Sequence, residues 1–325
     1  MGPEATDYLE RLLKPGEKVD LEYDIEREDR YGRTLAGVFK DDLFVNSAIA
    51  AAGLGVAVKY EPNVKFYDEV LAAEQKAVDA GEGLFDPSVE CTIPAQLDEA
   101  DTAAIVLARG GYGITRLLEE LEWSTFTRAP KWIVGFSDGT ALLTTACAHS
   151  VCSLHASNVN GLASAASVDR AAWLDALEGR ALVSWDLHAT VGQPARSIRG
   201  TTFGGNLSLL AALAAHGRLT PPADAVWIVE DVTERPYRLD RMATSLRPFV
   251  RNARAVVLGE YVGCEPGPDG ISAHQALCAA WGDLGVPLVW GAPSGHGARN
   301  APWPLGAAVC VKLDAGRARI EFRRP

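Results

Sequence analysis

Nothing in this sequence is arranged in a recognisable metal-binding pattern. Its six histidines are scattered, and no HExxH pattern occurs. Its six cysteines, at 91, 147, 152, 264, 278 and 310, form no CxxC pair or ligand-like cluster. Closely spaced His and Cys side chains are what a structural or catalytic zinc needs, so no metal and no cofactor is expected. The isolated cysteines read as small buried hydrophobes that stay reduced. Internal repeats and low-complexity tracts are absent. No apolar run approaches the ~20 residues that cross a bilayer. The opening stretch MGPEATDYLERLLKPGEK carries acids and lacks the apolar centre of a signal peptide. A cytoplasmic location without membrane association is therefore expected. Positive charge is also scarce: 31 Lys and Arg stand against 42 Asp and Glu, for a net charge of −11. Such a surface disfavours general binding to nucleic acid.

What is present indicates a soluble protein of several domains. A chain of 325 residues exceeds one ordinary hydrophobic core. Apolar residues at 48% and charged residues at 22% are usual for globular proteins. Residues 1–95 and 100–325 differ in character. The first segment is rich in charge. KVDLEYDIERED alternates like a strand, with Val19, Leu21 and Tyr23 on one face. RYGRTLAGVF reads as its hairpin partner around Gly32. Two helical stretches follow, LFVNSAIAAAG and FYDEVLAAEQKAVDAGEG, each ending in glycine as helices commonly do. DPSVECTIPAQLDEAD reads as the junction. The second segment alternates short apolar strands (TAAIVLARGG, WIVGFS, AVWIVED, AVVLGEY, PLVWG) with helical stretches, the pattern of an α/β fold. Residues 161–200, rich in Ala and Ser, read as a connector between lobes.

The second segment also holds the residues best suited to chemistry. In WIVGFSDGTALL an apolar strand runs through Gly135-Phe136-Ser137-Asp138-Gly139 into a helix. A serine at such a turn is exposed at the sheet edge, and the helix N-terminus behind it favours developing negative charge. Capping of the helix by Ser137 or Asp138 explains the same residues equally well. A serine hydroxyl needs a base, usually a histidine oriented by a carboxylate. Of the six histidines, His296 stands out because GAPSGHGARN is a glycine-rich loop directly after a strand. The others, His149, His155, His188, His216 and His274, have no special surroundings. Carboxylate candidates are Glu230 and Asp231 at the end of AVWIVED, with Glu234 one turn later. Pairing of these acids with Arg235, Arg238 and Arg241 is the alternative. ARGGYG places Gly110, Gly111 and Gly113 after another strand, where a backbone N–H could approach a reacting oxygen. A phosphate-cradling role is the rival, but neither the P-loop nor the dinucleotide spacing is present.

Five stretches, AIVLARGGYGITRLLEEL, PKWIVGFSDGTALL, GTTFGGNLSLL, VWIVEDVTERPYRLDRMATSLR and GHGARNAPWPLGAAVCVKLD, together resemble the LD-carboxypeptidase family, which includes the microcin-C immunity peptidases. They occur in the family's order across roughly residues 100–325. The resemblance implies a Rossmann-like parallel-sheet lobe at 100–165, a connector at 166–200 and a C-terminal α/β lobe at 201–325. It implies a serine peptidase with a triad of Ser137, Glu230 and His296, with Glu234 as second choice for the acid. It further implies oxyanion donors in the backbone N–H groups of Gly111 and Asp138, a substrate contact at Asn206, a homodimer, and no metal. The implied reaction hydrolyses the amide between an L-centre and a terminal D-amino acid, as in murein tetrapeptide; a small peptide or muropeptide is the partner. Two features depart from the family. The strand and helices that normally lie some seventy residues ahead of ARGGYG have no legible counterpart, and the usual histidine–glycine–proline stretch reads LHASNVNG around His155.

Residues 5–87, within the 1–95 segment, resemble the C-terminal part of a thermonuclease-like domain, a partial OB-fold. The carrying stretches are VDLEYDIEREDRYGRTLAGVF, LFVNSAIAAAGLGVAVKYEPNVKF and LAAEQKAVDAGEGLFDP. Arg33 falls where that family contacts phosphate. The family's first three strands, which carry its calcium ligands and general base, have no counterpart here. A calcium-dependent nuclease, or a nucleic-acid-binding remnant, through residues 1–95 is therefore the alternative function rather than the leading one.

Overall fold

The computed structural model describes residues 2–28, 33–59, 61–86, 102–128, 130–180, 182, 184–189 and 195–323. Backbone proximity divides the chain into two compact units, Met1–Glu99 and Ala100–Pro325. The expected turn around Gly32, Cys91 and nearly all of the junction stretch lie outside the described residues.

The first unit holds a small antiparallel sheet. β1 (Asp20–Glu22) pairs with β2 (Gly37–Lys40), which pairs with β3 (Leu43–Phe44). The Phe39 and Phe44 rings stack at 4.6 Å, with Phe66 beside them. The two glycine-terminated stretches form the helices Val45–Ala51 and Tyr67–Ala80, and the closing Gly53 and Gly81 are left-handed at φ 65° and 63°. The alternating face is not buried, since Val19 and Leu21 are exposed.

The second unit contains two sheets. In the first, β4 (Ala104–Val106), β5 (Trp132–Gly135) and β6 (Ser153–His155) run parallel, and β4 and β5 are the unbroken apolar runs usual for strands covered on both faces. Ile133, Val134 and Leu154 are fully buried. An antiparallel strand, β12 (Trp303–Leu305), completes this sheet from near the C-terminus. The lobe is therefore not confined to residues 100–165: its edge is supplied about 150 residues downstream.

The second sheet closes into a barrel of seven strands. Four are parallel neighbours: β8 (Arg196–Asn206), β9 (Ala225–Val232), β10 (Ala255–Val262) and β11 (Leu288–Trp290). Helices Leu207–Ala215, Pro236–Val250 and Ala273–Trp281 connect them in turn. β7 (Trp185–Ala189), β13 (Ala308–Asp314) and β14 (Arg317–Phe322) pair antiparallel and close the ring. Residues 166–200, read from sequence as a connector, do more than connect. They supply barrel strand β7 and the helix Ser167–Leu177. Ala and Ser have no strong periodicity, so the sequence carried little sign of either. Among the described residues no helix is long and apolar enough to cross a membrane.

Candidate functional site

The turn after β5 is strained at one residue. Phe136 is extended, and Ser137 then adopts a left-handed φ of 63° before the helix Thr140–Ala148 begins. A non-glycine residue there pays a steric cost of order 1–2 kcal/mol, and such outliers concentrate at functional sites. Two contacts hold the turn. The Phe136 N–H donates to the buried Asn158 side chain at 3.3 Å. The Asp138 carboxylate, also buried, accepts the Ile114 N–H at 3.0 Å and so ties this turn to the glycine turn after β4. Burial pushes the Asp138 carboxyl up, while N–H groups of Ile114 and Gly113 pull it back. The glycine turn lies close: a β-carbon built on Gly110 would stand 3.1 Å from Ser137 Oγ. Any larger residue there would crowd the hydroxyl.

His296 sits in the loop after β11. Its Nδ1 is 2.7 Å from Glu230 Oε2. Glu230 is 1% exposed and lies at the C-terminal end of β9, in register with Asn206 at the end of β8. Gly295 lets the loop pass this close: its φ is 135°, and a β-carbon built on it would stand 3.0 Å from the Glu230 β-carbon. A second anchor comes from the helix Ser167–Leu177. The buried Asp169 carboxylate accepts two hydrogen bonds from Arg299 Nε, at 2.9 and 3.0 Å, one from Arg299 Nη2 at 2.7 Å, and the Asn300 N–H at 3.1 Å.

The electrostatics of the pair have a definite direction. Burial works to lower the basicity of His296. The hydrogen bond to Glu230 and the charges of Glu230 and Asp231 outweigh it and hold the imidazole above its ordinary pKa. Burial raises the Glu230 carboxyl, opposed by the His296 hydrogen bond. With Nδ1 engaged by the carboxylate, Nε2 is the ring nitrogen left to exchange a proton.

Ser137, His296 and Gly111 line one cleft of about 710 Å³. Among the described residues no hydrogen bond joins Ser137 to His296 across it. The Phe136 ring packs at 4.7 Å from the imidazole. Glu234 is not the partner of His296: it pairs with Arg238 at 2.7 Å. Asn206 is placed differently from the substrate contact expected of it. It is 4% exposed, its Nδ2 donates to Asp231 at 3.0 Å, and its Oδ1 caps the following helix at Leu209 N–H. Both ends of the amide are engaged within the protein. Arg33 is exposed in the first unit. Among the described residues no three His, Cys, Asp or Glu converge as metal ligands would.

His155 also has special surroundings that its sequence context concealed. It is fully buried on β6 and stacks on Trp303 at 4.8 Å. Burial, helped by the nearby His296, pushes its pKa down to about 3, so it stays neutral. Asn158, Asp169 and Arg299 escaped the sequence reading altogether. Their partners lie 22 and 130 positions away, and no local motif marks them.

The Asp169–Arg299 link leads to a stability prediction. Breaking a buried ion pair costs about 3–5 kcal/mol, and the 43% exposure of Arg299 reduces this to roughly 2–3 kcal/mol. Asp169→Ala is expected to lower Tm by roughly 5–10 °C, read by calorimetry. A shift below about 1 °C would show that the loop is held by something else.

A carboxylate-bound imidazole sharing a cleft with a strained, accessible serine suits amide hydrolysis through an acyl-serine, and the chain is a serine-type peptidase. The LD-carboxypeptidase N-terminal domain matches residues 44–156 and the C-terminal domain residues 199–311. The murein tetrapeptide carboxypeptidase of Pseudomonas aeruginosa is 33% identical over 228 residues, covering 66% of this chain and 74% of that protein. The solved structure of muramoyltetrapeptide carboxypeptidase from Oxalobacter formigenes superimposes with a TM-score of 0.60 at 25% identity, over 70% of this chain and 80% of that one. The chain belongs to the LD-carboxypeptidase family. Residues 1–86 match a second family, staphylococcal nuclease homologues. The N-terminal peptidase match begins at 44, ahead of the residue 100 inferred from motifs, and so overlaps the nuclease match.

Proposed function

We propose that the protein is an LD-carboxypeptidase that hydrolyses the amide between an L-centre and a terminal D-amino acid, as in murein tetrapeptide. The observation that carries this reading is the 2.7 Å contact of His296 with buried Glu230, presented to the cleft that also exposes Ser137. Ser137 Oγ attacks the scissile carbonyl carbon as His296 Nε2 takes its proton. The resulting oxyanion is held by the backbone N–H groups of Gly111 and Asp138. The C–N bond then breaks, His296 gives the proton to the departing amine, and the D-amino acid leaves. Water attacks the acyl-serine, again with His296 as base, and Ser137 regains its proton. Among the described residues no hydrogen bond joins the serine to the imidazole; such hydrogen bonds commonly tighten only with substrate bound. Glu230 sets the tautomer of His296 and stabilises its cation. Asn206 acts from behind, through Asp231 on the same strand end.

The test is release of D-alanine from murein tetrapeptide, followed by chromatography of the products. Release is expected from the wild-type chain. A folded protein that releases none from this or any other LD-peptide would refute the proposed activity.

A further inference from the structure

A carboxypeptidase must recognise a feature that its ARGGYG turn is well placed to meet: the free carboxylate of the residue it removes. One residue separates that carboxylate from the scissile carbonyl, at most about 3.6 Å of chain. The recognising group must therefore lie next to the oxyanion donors. Arg109 does. It lines the cleft, and its Nη2 is 3.8 Å from a β-carbon built on Gly111. Its Nε donates to the Gly110 carbonyl at 3.0 Å, which directs the rest of the guanidinium.

The surrounding charges leave this cation available. Among the described residues Arg109 pairs with no carboxylate. The carboxylate that lines the cleft, Asp169, already holds Arg299 through both oxygens. His296 is committed to Glu230. The remaining polar side chains lining the cleft, Ser157, Asn158, Asn160, Ser164 and Asn300, are uncharged. We infer that Arg109 docks the terminal carboxylate of the substrate and so restricts the enzyme to removing a C-terminal residue. The inference rests on the carboxypeptidase reading above. A guanidinium suits the task because its planar fork meets a carboxylate through two parallel hydrogen bonds.

The experiment compares murein tetrapeptide with its C-terminal carboxamide. Binding to Ser137→Ala is measured by calorimetry. The acid is expected to bind at least about 30-fold tighter than the amide, the size of effect a charge-assisted pair supplies. In Ser137→Ala/Arg109→Ala the two affinities should converge to within about threefold, chiefly through weaker binding of the acid. In the otherwise wild-type chain, Arg109→Ala should lower kcat/KM on the acid about 100-fold, chiefly through KM, and on the amide far less. Arg109→Lys should restore part of the loss, as a point charge without the fork. Equal affinity of Ser137→Ala for acid and amide, no binding of either, or a preference that survives Arg109→Ala would overturn the inference. Acid-selective binding without D-alanine release by the wild-type chain would refute the proposed reaction and leave the docking role standing.

Discussion

Replacing Ser137 by alanine is expected to reduce D-alanine release from murein tetrapeptide by roughly 10⁴-fold or more, with Tm unchanged. The size follows from the role. Without the hydroxyl no acyl-enzyme forms, and only binding and oxyanion stabilisation remain to help a water attack directly. The unchanged Tm follows from the backbone. Alanine and serine bear the same steric cost at φ 63°, and the hydroxyl makes no hydrogen bond to His296 whose loss could be felt. Single-turnover assays and thermal melts on the same preparation check both halves. Release within tenfold of wild type would remove Ser137 from the reaction.

Glu230→Gln is expected to have the next largest effect, a fall of about 10³–10⁴-fold in kcat/KM at neutral pH. The amide preserves volume but neither anchors the imidazole in one tautomer nor stabilises its cation. The pH profile carries a separate signature. His296 must be neutral to accept the Ser137 proton, so kcat/KM falls as pH drops through the imidazole pKa of the free enzyme. The Glu230 hydrogen bond and charge place that pKa above the ordinary 6.5. The acid limb of the wild-type profile should therefore lie above pH 6.5. In Glu230→Gln the raising influences are reduced while burial still lowers the pKa, and the limb should move to lower pH. A limb that stays in place would show that Glu230 does not govern His296.

The two members of the pair were legible to different degrees. GFSDG announces a strand-to-helix turn through its glycines and its apolar approach, and the structure shows that turn with Ser137 left-handed. GHG announces a loop, and the left-handed Gly295, packed against Glu230, explains why one glycine is needed there. The acid was less certain. Glu230, Asp231 and Glu234 crowd one strand end, and nothing local separates them. The structure divides them by direction: Glu230 meets His296, Asp231 receives Asn206 and Ser208, and Glu234 pairs with Arg238.

What the sequence by itself determined was local: the strand–glycine turns, the ends of the glycine-capped helices, and the family signature carried by five ordered stretches. These depend on neighbouring residues and on backbone conformations that few side chains allow. The tertiary structure alone decided which distant groups meet. Glu230 reaches His296 across 66 positions because the parallel strands bring their C-terminal ends to the same rim. Asp169 reaches Arg299 across 130 positions because a helix read as part of a connector packs against the histidine loop. β12 crosses into the parallel sheet, and β7 closes the barrel, for the same reason. Pairing of this kind is set by burial and register over the whole lobe, which no short window of residues contains.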